Sequence, residues 1–209
     1  MLRLLIAKYN KDSILKIESE ILPELNSYEA KRINDYNFEN KAHRIAAFYL
    51  LKIQLNYFEE IFSLFEIKRD SFHKPFFKDS VFDFSISHSK NYVVCLASKS
   101  QKVGVDIEFE EQNLENIDSD FFCSAEKKSL LQQNDPELFY FLHTRKEAFS
   151  KAVGLGVFLE HKLFDAQNEN LFFNDTQWYL KSLKTVKAYS LSYATNKKNT
   201  FCEILEINI

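Results

Sequence analysis

Residues 103–109 read Val-Gly-Val-Asp-Ile-Glu-Phe, VGVDIEF, and this stretch decides what kind of fold the chain can have. Its odd positions are all apolar, while its even positions are Gly104, Asp106 and Glu108. Period-two alternation marks a half-buried β-strand, whose successive side chains point to opposite faces. Asp106 and Glu108 therefore share a face, roughly 7 Å apart along the strand. Aspartate is a poor strand former, and two like charges so close repel. Either water or a cation must make the pair tolerable. Upstream, FDFSISHSKNYVVCLAS from Phe82 reads as strand, turn at Ser89-Lys90-Asn91, then strand. VGVDIEF follows as a third, and short turns between successive strands predict an antiparallel meander.

Further outward, residues 2–9 read as another strand. Residues 12–22, 27–37 and 39–55 carry helical periodicity, as do 119–133 and 136–154. Asp135 and Pro136 fit the N-cap and first turn of the last of these, and Gly154 and Gly156 end it. The tail contains more strands, among them YSLSYATNKKNTFCEIL at 189–205. It echoes the hairpin at 84–98: aromatic-Ser-aliphatic-Ser, a polar turn, then a strand. The echo predicts two similar halves.

The 209 residues include 21 phenylalanines and are 45% hydrophobic, enough for a substantial core, and only three glycines and three prolines argue against long linkers. A net charge of −3 gives no electrostatic reason to expect nucleic acid. The longest apolar run, IAAFYLL at 45–51, is far too short to span a membrane. Cys95, Cys123 and Cys202 form no C-x-x-C pair and read as free thiols in a reducing cytoplasm.

Chemistry concentrates in acidic residues. Besides Asp106 and Glu108, Glu126 lies in FFCSAEKK, and Glu147 lies in HTRKEAFSKAV with Lys151 one helical turn later. Each has a plain alternative: Glu147 and Lys151 fit an i,i+4 surface pair, and the others fit a solvated face. Taken together, two strand carboxylates and one helix carboxylate form the oxygen ligand set that Mg²⁺ prefers. Neighbouring lysines suit phosphate, and phosphoryl transfer is the reaction class that fits.

VGVDIE, followed about forty residues later by HTRKEAFSKAVGLG, resembles the paired signature of the 4′-phosphopantetheinyl transferases, G-[V/I]-D-[V/I]-E and W-[T/S]-x-K-E-[A/S]-x-x-K-x-x-G-x-G. HKPFF, FSISHS and FFCSAE resemble further motifs of that family, in the same order, between Lys74 and Gly156. The length suits its larger, monomeric, Sfp-like branch. The resemblance implies an α+β fold of two similar subdomains related by a pseudo-twofold, each an antiparallel sheet with packed helices. Residues 1–100 would bind the nucleotide of coenzyme A and residues 101–209 would carry the metal and catalytic residues, with the active site at the junction. It implies Mg²⁺, with Mn²⁺ as a substitute, and coenzyme A as co-substrate. A serine hydroxyl of an apo acyl or peptidyl carrier protein would attack the β-phosphate, take the phosphopantetheine and release 3′,5′-ADP.

Carried over by position, Asp106, Glu108 and Glu147 become metal ligands, and Glu126 the general base, acting directly or through water. Lys151 becomes a phosphate contact that offsets developing charge. His88 contacts coenzyme A phosphates, Lys74 and Pro75 line the nucleotide pocket, and Arg44 with Lys31 or Arg32 holds the 3′-phosphate. Lys90, Lys127 and Lys128 are candidates for docking the carrier. Three positions depart from the family pattern: His73 replaces a glycine, Ser85 an asparagine, and His143 a tryptophan. On a helix His143 shares a face with Glu147, so its imidazole can repack the core or hydrogen-bond a metal-binding carboxylate. Two other functions use similar residues: a different metal-dependent phosphotransferase or nucleotide hydrolase, and a non-catalytic coenzyme A or carrier-binding module.

Overall fold

The computed structural model describes residues 1–112, 121–198 and 200–209. In chain order, the elements begin with β1 (Leu2–Lys8), α1 (Lys11–Ile21), α2 (Ser27–Asn34), α3 (Phe38–Tyr57), β2 (Lys68–Arg69), β3 (Pro75–Phe76), β4 (Asp83–Ser89) and β5 (Tyr92–Ser98). They continue with β6 (Val103–Phe109), α4 (Ser124–Gln133), α5 (Pro136–Val153), β7 (Asn170–Phe173), β8 (Thr176–Leu183), β9 (Tyr189–Thr195) and β10 (Cys202–Asn208). The fold is α+β, and the chain divides into two units, one of residues 1–101 with 200–209 and one of residues 102–199. No described helix is long and apolar enough to cross a membrane.

The first unit is built on a four-stranded sheet of order β10-β1-β5-β4. The β4–β5 hairpin forms as expected, with His88 opposite Val93. Helices pack on the sheet because α3 turns an apolar stripe toward it, with Ile45, Ala46, Leu50 and Leu51 all fully buried. Gln54, also fully buried, donates to the carbonyls of Arg3 and Cys95 and ties α3 to two strands. Three of the helix starts use asparagine caps: the Oδ1 atoms of Asn10, Asn26 and Asn37 accept from Ser13, Glu29 and Asn40.

The second unit is a sheet of order β6-β9-β8-β7, antiparallel throughout, with α5 laid across it. Asp135 caps α5 by accepting from the Glu137 amide at 2.9 Å, Pro136 occupies the first turn, and Gly154 stops the helix at φ 77°. The sheet and helix come unusually close at Gly104. A Cβ built there would lie 1.9 Å from the Ala148 carbonyl oxygen and 2.4 Å from the Ala152 nitrogen. Two polar staples fix the helix further along: Thr144 Oγ1 meets Ser192 Oγ at 2.9 Å, and Arg145 Nε donates to Ser182 Oγ. Phe122, Phe149, Trp178 and Leu180 fill the core beneath α5.

Three expectations change. VGVDIEF is a strand, but it does not extend the β4–β5 meander. It pairs with β9 instead, Asp106 facing Ser192, and its entry is held by Lys102 N donating to Asn196 Oδ1 at 2.9 Å. The tail echo is also real as strands and wrong as a hairpin. β9 stays in the second sheet, whereas β10 joins β1 in the one parallel pairing among the described strands, Leu2 facing Cys202. The half expected over 101–209 therefore gives its last strand to the first unit. Finally, the helix expected over 119–133 begins at Ser124, and residues 119 and 120 lie outside the described residues.

Candidate functional site

The even face of β6 turns toward α5, so the two carboxylates of VGVDIEF sit under the helix rather than in water. Asp106 is only 2% exposed and Glu108 is half-buried. Lys151, near the C-terminal end of α5, places Nζ 2.7 Å from Asp106 Oδ1. The puzzle of like charges thus has a local answer, a lysine cation bonded to the more deeply buried acid.

A third ligand-type side chain joins the two acids. One ligand atom from each of Asp106, Glu108 and His143 falls within 4.8 Å of the others. This is the described cluster that fits a divalent ion through β6 and α5, two carboxylates and an imidazole being common donors. The His143 ring is aligned by stacking on Phe121, centroids 4.7 Å apart, and on Phe139 at 5.8 Å. Burial pushes its pKa down, opposed by the charge of Asp106. Glu147, one turn along the same helix, is outside this cluster. Its Oε1 lies 3.7 Å from Nε2 of His161, and burial, then the neighbouring Asp106 charge, push its carboxyl up. The structure therefore brings Asp106, Glu108 and Lys151 together, places His143 where the carboxylates converge, and leaves Glu147 near enough to feel the charges of Asp106 and Lys151.

Glu126 is held by other partners. It is fully buried, and so is Lys146, whose Nζ lies 2.9 Å from Glu126 Oε2. The same oxygen accepts from the Cys123 amide at 2.9 Å, closing a capping box at the start of α4, and Oε1 accepts from the Ala166 amide at 2.7 Å. Lys146 completes its donor set on the carbonyls of His161 and Phe164. With both oxygens bonded and no exposed surface, Glu126 joins the start of α4 to Lys146 of α5 and to the Ala166 amide. Burial lowers the Lys146 pKa, with Glu126 pulling the other way. The burial of Lys146 is not legible in the sequence, where a lysine inside a charged helix reads as solvated; its only signal is its place in the motif beside Glu147.

In the first unit, Arg44 lies over the Tyr36 ring, 4.3 Å from its centroid. Burial pushes its pKa down, and Arg32 and Arg69 push the same way while Tyr36 and Glu29 oppose. Arg32, Arg44 and Arg69 thus form one basic group around the buried carboxylate of Glu29. Arg69 grips Glu29 with two bonds, at 2.6 and 3.0 Å, and Arg32 approaches it at 3.5 Å. Arg69 was missed because nothing local marks it; it reaches Glu29 across forty residues. Lys31 is exposed on α2. The Arg69 Nη1 also donates to the His73 carbonyl, which anchors the loop before Lys74 and Pro75. His73 has φ 65°, the left-handed region where glycine is unstrained. Lys74 Nζ lies 3.5 Å from Asp83, and Pro75 pairs with Arg69 across β2 and β3.

His88 is exposed near the end of β4 and stacks on His43 of α3, with ring centroids 4.0 Å apart and planes within 8°. His43 Nε2 donates to the Lys90 carbonyl at 2.8 Å, and Tyr9 donates to the same oxygen. The helix therefore clamps the turn that presents His88. Lys90 and Lys128 are exposed and Lys127 is half-buried.

Comparison with known proteins points to one family. Residues 102–199, the whole second unit, match the model of the 4′-phosphopantetheinyl transferase superfamily. The chain is 39% identical over 79 residues to the 4′-phosphopantetheinyl transferase Sfp of Bacillus subtilis, covering 36% of this chain and 35% of that one. It is 35% identical over 95 residues to the 4′-phosphopantetheinyl transferase gsp of Aneurinibacillus migulanus, covering 44% and 39%. A longer match, 27% identical over 154 residues, covers 69% of this chain and 64% of a putative 4′-phosphopantetheinyl transferase of Haemophilus influenzae. In each case the matched part is less than two thirds of the relative's length.

Proposed function

Since residues 102–199 belong to the 4′-phosphopantetheinyl transferase superfamily, we propose that the chain transfers 4′-phosphopantetheine from coenzyme A to a serine hydroxyl of an apo carrier protein, with a divalent cation at Asp106 and Glu108. The observation that carries this reading is the meeting of those two carboxylates with Lys151, 2.7 Å from Asp106, on the face of β6 covered by α5. Carboxylates and a lysine in one place suit a pyrophosphate held through a hard cation.

The cation, Mg²⁺ or Mn²⁺, would neutralise pyrophosphate charge when bound. The residues supply the rest. Asp106 and Glu108 hold the cation, and Glu147 adds negative charge one turn along α5. Lys151 moves its charge from Asp106 to the phosphate oxygens as the substrate arrives. Arg44 and Arg32, with Arg69 behind them, bind the 3′-phosphate, Lys74 and Pro75 border the nucleotide, and His88 donates to the phosphates. The serine oxygen forms a bond to the β-phosphorus as the pyrophosphate P–O bond breaks. 3′,5′-ADP departs, and the serine proton passes to water, with Glu126 as the acid that would draw it on. The chain acts as a monomer in the cytoplasm, with Lys90, Lys127 and Lys128 available to an acidic carrier.

Incubation with coenzyme A, Mg²⁺ and a panel of apo carrier proteins should add the phosphopantetheine mass to a carrier. Asp106→Ala should abolish that addition while the protein stays folded. Breakdown of coenzyme A without any carrier would favour a hydrolase and overturn the proposal, as would full activity in Asp106→Ala.

A further inference from the structure

We propose that His143 is a nitrogen ligand of the cation held by Asp106 and Glu108, and that the site therefore prefers a first-row transition ion such as Mn²⁺ to Mg²⁺. This rests on the cation reading of the proposed function and adds to it a residue and an ion preference.

The geometry comes from the second unit alone. The Asp106, Glu108 and His143 ligand atoms lie within 4.8 Å of one another. Adjacent ligands of an octahedral ion at about 2.1 Å lie about 3 Å apart and opposite ones about 4.2 Å, so shifts of about one ångström would bring all three onto one ion. The protein holds its scaffold ready for this. Asp106 and Glu108 are pinned in β6, paired with Ser192 and Ser190 of β9. α5 is held against β6 by the backbone contact at Gly104 and by the Thr144–Ser192 bond, one residue from His143. The imidazole plane is set by stacking on Phe121 and Phe139, within 23° and 19° of their rings.

The residue type matters as much as the position. An indole at 143 could donate one hydrogen bond and could not ligate, whereas a neutral imidazole offers a lone pair. Mg²⁺ demands oxygen donors and gives up water reluctantly, so a nitrogen adds little to its binding. Affinity for a nitrogen donor instead rises along the first-row series from Mn²⁺. Replacing the family's tryptophan with His143 thus converts an aromatic wall of an oxygen site into a donor. Glu147 then remains a nearby charge, consistent with its Oε1 lying toward His161.

Pulsed EPR on Mn²⁺ bound to the full chain, with and without coenzyme A, tests this without an activity assay. The wild type should show modulation from a directly bonded nitrogen that changes on ¹⁵N-histidine labelling. His143→Gln and His143→Trp, checked for folding by circular dichroism, should lose it. Their preference for Mn²⁺ over Mg²⁺, measured by calorimetric titration of each metal, should drop roughly tenfold or more. Asp106→Asn should lose Mn²⁺ binding itself. Mn²⁺ bound through Asp106 with no nitrogen modulation in wild type, or modulation that survives in both His143 variants, would overturn the ligand assignment and leave the transferase reading intact. No Mn²⁺ binding to wild type under either condition would overturn both.

Discussion

Gly104→Ala tests whether the acidic strand and α5 are held at backbone contact. The added Cβ would start 1.9 Å from the Ala148 oxygen and 2.4 Å from the Ala152 nitrogen, whereas ordinary contact begins at 3.4 Å. Relief therefore requires α5 to withdraw by about 1.5 Å, because the obstructing atoms are backbone and have no rotamer to escape into. A gap of 0.5–1 Å already forfeits roughly a quarter to a half of the dispersion well for each facing atom. The same withdrawal would stretch the Thr144–Ser192 bond from 2.9 Å and the Lys151–Asp106 bond from 2.7 Å beyond hydrogen-bonding range. Overpacking of this kind costs about 3 kcal/mol or more, which for a chain of this size lowers Tm by roughly 6–12 °C. Thermal unfolding followed by circular dichroism reads the stability, and Mn²⁺ titration reads the site. Both should fall together. Second-site changes Ala148→Gly or Ala152→Gly should not rescue, since neither removes an obstructing atom. A variant within about 0.5 kcal/mol of wild type, or one repaired by either glycine, would refute the contact.

Other outcomes follow from single contacts. Lys146→Met should cost about 3–5 kcal/mol in urea unfolding, because it strands the fully buried Glu126 carboxylate without its cation; a Glu126→Gln, Lys146→Met pair should recover part of that. Glu126→Gln alone should lose stability, and activity lost in proportion points to its bonds to Lys146 and Ala166, whereas activity lost at native stability would mark it as the catalytic base. Burial, then the charges of Lys146 and His143, hold His161 at about 4 against an ordinary 6.5, so the unfolded chain binds more protons between those values. Stability should be intact above about pH 6.5 and fall as pH drops toward 4, by up to about 3 kcal/mol from this group, with the raised Glu147 opposing. His161→Phe, which keeps the stack on Phe121, should flatten that slope in pH-dependent melts. His73→Gly should raise stability by up to about 1 kcal/mol by relieving the left-handed φ of 65°, and a loss in thermal melting would refute the strain.

Much of the fold and of the site is legible in the sequence, and the limits have physical causes. Local signals worked: the alternation of VGVDIEF found β6, and Asp135, Pro136 and Gly154 bounded α5, because periodicity and caps are properties of neighbouring residues. Pairing was harder to read. β6 chose β9 over β5, and β10 chose β1, through hydrogen-bond partners some eighty to two hundred residues away. The site divides the same way. Asp106 and Glu108 stood out because their spacing alone put them on one face. Their immersion did not, since an even face containing glycine looks half-solvated until a helix is known to cover it. Glu126 shows the opposite limit, because a motif specifies a residue type and not the lysine that will be buried against it. Arg69 has no local mark and Lys146 only its place beside Glu147; one works by reaching α2, the other by leaving the surface.

The parallel strand β10 has a consequence for the order of synthesis. Residues 102–199 are contiguous and can fold once they have emerged. The first unit cannot close its sheet until Cys202–Asn208 arrives beside β1. About a hundred residues separate the end of β5 from the start of β10, which at about 5–20 residues per second is a wait of roughly 5–20 s. Throughout that interval the outer edge of β1, Leu2–Lys8, is an open strand rich in leucine on a nascent chain, the kind of edge that pairs with strangers. The nascent protein is thus open to misassembly along β1 for the whole of that interval, and a chaperone that shields Leu2–Lys8 would protect it where it matters most.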